Sequence, residues 1–219
     1  MECFLFVMVG WIFSVTLHEY GHAIVAYRAG DFTVKEKGYL SFNPLRYAHP
    51  VYSFVMPIIF VLLGGIGLPG GAVYIQDDLI RSRKMRSLVS LAGPAMNVAL
   101  VIILCVPFWL GLVPPATVSV VGPTLAFLIH LQISAVIFNL LPVPSLDGFG
   151  ALAPFMKYET AHWFRRNSNY FIMGLFIIMW NSREANYLFW STVIRVSIFL
   201  GLDPDLIAQG WRLFRFWEN

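Results

Sequence analysis

Two histidines four residues apart with a glutamate between them, His18-Glu19-Tyr20-Gly21-His22, carry the clearest chemical signal in the chain. On a helix, positions i and i+4 share one face about 6 Å apart along the axis. Both imidazoles can then reach a single Zn2+ at about 2.0–2.1 Å. Glu19 is turned off the ligand position yet stays close enough to take a proton from an attacking water. Gly21 permits close approach of another helix or of substrate. The bland alternative is a chance pattern of two packing histidines and a snorkelling glutamate. It is disfavoured because the motif lies in an apolar run, where an ionised residue costs about 2.5–3.5 kcal/mol on insertion scales.

A catalytic zinc needs three protein ligands and an open position. Candidates for the third are Asp147, His130, His49, His162 and other carboxylates. Asp147 is best placed. It follows Pro142 and Pro144, which end a regular helix and can turn the chain inward. The alternative for Asp147 is a cap on the next helix. His130 reads as a packing or hydrogen-bonding residue, and His49 and His162 as interfacial.

The elements that must position these groups read as membrane spans. Of the 219 residues, 58% are hydrophobic and 12% charged, against about 25% charged in soluble domains. Apolar segments run over residues 3–27, 88–112 and 124–141, followed by a helical pair at 170–180 and 185–202. The expected fold is an all-α polytopic membrane protein of about five transmembrane helices. A re-entrant hairpin is expected over Val51–Ile75, with its glycines at the turn, and a short membrane-associated β segment over Thr33–Phe42. The N-terminus does not read as a cleavable signal peptide, since it lacks a basic leader. Residues 1–155 are expected to form the catalytic core. Residues 156–219 add a C-terminal helical pair and an interfacial tail to the same membrane domain.

Charge sets an expected orientation. All lysines and arginines except Arg183 and Arg195 fall in four groups, at 28–46, 81–86, 157–166 and 212–215. If basic loops are cytoplasmic, all four share that side, and the site lies nearer to it. The net charge of +3 comes with no aromatic-interleaved basic patch, so no nucleic-acid partner is expected. Cys3 and Cys105 sit in apolar runs and read as buried thiols. A transporter would spread polar groups along several spans, whereas here they gather at one depth.

The motif His18-Glu19-x-x-His22, followed by Asn139-x-x-Pro142-x-Pro144-x-x-Asp147-Gly148, closely resembles the site-2 protease family of intramembrane zinc proteases. Ala92-Gly93-Pro94-Ala95-Met96-Asn97 resembles that family's A-G-P-x-x-N segment. The resemblance covers roughly residues 10–155. It implies one zinc per chain held by His18, His22 and Asp147, with Glu19 as catalytic base. Asn139 would bind the scissile carbonyl or its oxyanion; for Asn97, helix packing is the better reading. It further implies a membrane-anchored protein substrate, a multi-pass location in the cell membrane, and room for a regulatory membrane partner or a homo-oligomer. A zinc-binding scaffold without activity remains the alternative, though it would need only the ligands and not Glu19.

Overall fold

The computed structural model describes residues 1–43, 74–114 and 119–218. Most of the Val51–Ile75 hairpin and His49 lie outside the described residues. Among those described, every regular element is helical: α1 (Glu2–Ala29), α2 (Thr33–Glu36), α3 (Arg83–Trp109), α4 (Val121–Asn139), α5 (Asp147–Leu152), α6 (Tyr158–Arg166), α7 (Ser168–Asn181), α8 (Arg183–Phe199) and α9 (Pro204–Phe214), with short 3-10 turns at Asp77–Leu79, Ala153–Phe155 and Phe216–Glu218.

Three of these, α1, α3 and α4, are long and apolar enough to cross a membrane. α4 is central, with 78% of its most apolar stretch buried against 39% in α1 and 44% in α3. The outward faces of α1 and α3 expose Leu5, Phe6, Val9 and Phe13, and Val98, Ile102, Ile103 and Val106. An apolar face of that kind needs lipid or protein around it. The chain is an integral membrane protein.

Three expectations change here. First, Thr33–Phe42 is not a strand. Thr33–Glu36 forms a single helical turn, because the Asp31 carboxylate accepts from Thr33 N (3.0 Å) and Thr33 Oγ1 (2.6 Å). A short Asp bonding two residues ahead competes directly with an extended backbone. The other Asp31 oxygen accepts from Gln76 N at 2.8 Å, tying the turn to the approach to α3.

Second, the final helical pair is short. α7 has 14 residues and α8 has 17, below the about 20 that a straight crossing needs. α8 reaches spanning length only together with α9, and the two are bent by 118°. Among the described residues, three helices are long enough to cross by themselves, and a fourth crossing needs the bent α8–α9 pair.

Third, the basic tail does not join the other basic groups. Arg81 N bonds Ala29 O at 3.3 Å, and Arg165 pairs with Asp77 at 2.8 Å, so the clusters at 28, 81–86 and 157–166 gather at the C-terminal end of α1. α9 packs at the opposite end: Cys3 Sγ lies 3.6 Å from Gly210 O, and the Phe4 and Phe214 rings are 5.2 Å apart. Hydrophobic contact overrides charge grouping, because Ile207, Gly210 and Phe214 form one buried face on α4.

Candidate metal centre

α1 and α3 cross closely where the chemistry-bearing residues sit. A Cβ on Gly21 would lie 2.7 Å from Ala92 O and 2.6 Å from Met96 Cγ. A Cβ on Gly93 would lie 2.3 Å from His22 Nε2 and 2.6 Å from His18 Nε2. Only a residue without a side chain leaves room for both imidazole tips. Pro94, next in the chain, takes one N–H out of the α3 ladder; membrane helices tolerate this where neighbouring groups compensate.

Asp147 arrives from the other side. α4 stops at Asn139, and Pro142 and Pro144 forbid its continuation. The chain turns through Ser145, which adopts a left-handed φ of 86°. Such a conformation is uncommon for a residue other than glycine. The chain then enters α5 at Asp147. Gly148 lets this segment fold flat against the end of α4: a Cβ there would lie 2.2 Å from Leu140 O and 2.5 Å from Leu141 O.

The result is a tight triangle. His18 Nε2 and His22 Nε2 are 3.0 Å apart. Asp147 Oδ2 lies 3.1 Å from His18 Nε2, and Asp147 Oδ1 lies 3.3 Å from His22 Nε2. These three side chains are the one group among the described residues able to hold a metal ion. Tetrahedral donors around zinc sit about 3.4 Å from one another when the bonds are about 2.1 Å. The observed spacings are close to that figure.

Protons settle what the triangle wants. His18 Nδ1 contacts Asn97 Oδ1 at 2.8 Å, and His22 Nδ1 contacts Val89 O at 2.7 Å. Both partners are acceptors, so each Nδ1 carries a hydrogen, and in the neutral ring Nε2 presents a lone pair. Two Nε2 atoms and a carboxylate then converge on one point, where a shared proton or a metal ion can sit. Asp147 Oδ2 is buried and accepts no hydrogen bond. Acceptors at such distances repel unless a cation lies among them, and two neutral imidazoles with a carboxylate are a zinc donor set. The residues present fit the metal.

Glu19 is buried on the same helix between the two histidines. Asn139 is buried at the last position of α4, eight residues before Asp147. His130 sits elsewhere, bonded to Ser197 Oγ at 3.0 Å and stacked on Trp190. His162 stacks on Tyr158 in α6. Asn97, read from sequence as a packing residue, instead touches His18 directly. Its signal was available, since an amide in an apolar span needs a polar partner and a histidine is the costliest group nearby.

Groups able to hold a metal, sunk among apolar helices, are the arrangement of a membrane-embedded metalloenzyme. The chain belongs to peptidase family M50, whose profile matches residues 6–122, and is an intramembrane zinc metalloprotease. It is similar to Rip2 of Mycolicibacterium smegmatis, with 40% identity over 218 residues that cover 98% of this chain and 82% of that protein. Rip2 of Mycobacterium tuberculosis is 40% identical over 215 residues, with the same two coverages. YwhC of Bacillus subtilis is 29% identical over 191 residues, covering 84% of each chain. All three carry names that describe a zinc metalloprotease. No solved structure matches the chain.

Proposed function

We propose that His18, His22 and Asp147 hold one zinc and that Glu19 is the catalytic base. On this reading the enzyme cuts membrane-anchored protein substrates in or near their transmembrane segments. The observation that carries it is the convergence of two imidazole nitrogens and a carboxylate, 3.0–3.3 Å apart, close to the spacing of zinc donors. Bound zinc would lower the pKa of the attacking water and polarise the scissile carbonyl. Glu19 takes the water's proton and passes it to the leaving amine. Asn139 donates its amide to the carbonyl oxygen as negative charge develops there. Asp147 is the most open of the three ligands, with 20% side-chain exposure against 7% and 9%. That supports approach of water and substrate from its side.

The site lies nearer the basic end of the bundle, since His22 is seven residues from the end of α1, or about 10 Å. By the excess of arginine and lysine there, we place that end in the cytoplasm and the protein in the cell membrane. Residues 1–155 form the catalytic core, and residues 156–219 belong to the same membrane domain. A five-span count requires α7 and α8 to cross a thinned bilayer. The exposed Met173, Ile177 and Ile178 of α7 support its immersion. A regulatory membrane partner or a second copy would find apolar surface on the same helices.

The test is cleavage of a membrane-anchored reporter by purified protein in lipid. A zinc chelator should abolish cleavage, and added zinc should restore it. Cleavage that persists in zinc-free protein contradicts the proposal.

A further inference from the structure

Behind His18 lies a closed ring of side chains from three helices. Asn97 of α3 donates both hydrogens of its amide, to Ser14 Oγ at 2.8 Å and to Gln132 Oε1 at 3.1 Å. Ser14 of α1 passes its own hydrogen to the same Gln132 oxygen. Ser14, Asn97 and Gln132 are all buried, Gln132 completely. Gln132 Nε2 has no hydrogen-bond partner, and an unsatisfied buried donor costs about 1–3 kcal/mol. A ring that tolerates such a cost in a membrane core calls for a compensating role.

The Asn97 and Gln132 amides are locked to one another. If the Asn97 amide rotated by 180°, its oxygen would face the Gln132 oxygen and its NH2 would face His18 Nδ1. His18 would then keep its hydrogen on Nε2, the atom that points at Asp147. The Gln132 acceptor blocks that rotation unless Gln132 turns with it and offers Nε2 in place of Oε1, and Ser14 Oγ, bonded to both amides, ties the two together.

We infer that Gln132 and Ser14 are positioning residues for the metal: they hold the Asn97 amide so that His18 carries its hydrogen on Nδ1 and offers Nε2 as ligand. This rests on the assignment of His18 as a zinc ligand. Outer partners of metal-bound histidines act in this way, and their loss weakens binding by about 10- to 100-fold.

The test is made on the full chain in lipid nanodiscs, without relying on activity. In metal-free wild type, 15N spectra of labelled histidine, assigned against His18→Gln, should show His18 protonated at Nδ1. Zinc affinity, measured by chelator competition, should fall about 10- to 100-fold in Asn97→Leu and fall in the same direction in Gln132→Leu. Asn97→Asp should keep wild-type affinity. Its carboxylate still accepts from His18 Nδ1, while Gln132 can turn its NH2 toward the second oxygen. A purely structural role would not be rescued by that variant. His18 protonated at Nε2 in the wild type, or wild-type affinity in both leucine variants, overturns the inference. If the leucine variants do not fold, the wild-type spectrum alone decides. Tight zinc retained in His18→Ala would instead overturn the ligand assignment, and this inference with it.

Discussion

Glu19→Gln keeps its zinc and loses cleavage, by about 10²- to 10⁴-fold, the range that a positioned general base contributes. Glutamine has the shape of glutamate but cannot take a proton. The ligand triangle is built from other residues, so metal content should match that of the wild type. Two measurements on one sample check this: zinc per protein, and the rate of cleavage of a membrane-anchored reporter. Wild-type cleavage in Glu19→Gln would remove the assigned base. Loss of zinc together with cleavage would make Glu19 part of the metal site instead.

Gly93→Ala should have an effect of similar size by a different route. A methyl group there would lie 2.3 Å from His22 Nε2 and 2.6 Å from His18 Nε2, well inside van der Waals contact. The atoms in the way are the far ends of two side chains, so the imidazole tips are what yield. Moving them off the triangle should weaken zinc binding by at least about 100-fold, the upper end of what disturbing an outer partner does. Alanine is the better helix former by about 1 kcal/mol, so helix content should not fall. Circular dichroism unchanged beside a large loss of zinc affinity is the expected pair of results. Wild-type zinc affinity would show that the cradle is looser than the distances suggest.

Much of this was legible before any coordinates. His18, Glu19 and His22 are readable because i and i+4 on a helix need no tertiary information to share a face. The turn into Asp147 is readable because two prolines leave the helix no way to continue. The three residues of the triangle were legible from the motifs and the family resemblance, but not the room made for them, which depends on Gly93 opening a gap between α1 and α3. A glycine in an apolar run signals close approach without saying to what. The role of Asn97 was missed for a related reason: its spacing from His18 is set by how two helices cross, not by sequence distance. Thr33–Phe42 misled because its few β-branched and aromatic residues give it weak strand character, while a single carboxylate at Asp31 decides the local backbone. The basic tail misled because the positive-inside pattern ranks loops by charge alone. The buried face of α9 is worth more than two arginines at its rim.

Metal analysis of the purified wild type beside His22→Ala and Asp147→Ala tests the centre of the account. One zinc per wild-type chain, and little or none in either variant at the same protein concentration, is the predicted result. Full zinc occupancy in Asp147→Ala would mean that the carboxylate brought in by the proline turn is not a ligand, and the triangle would have to be abandoned.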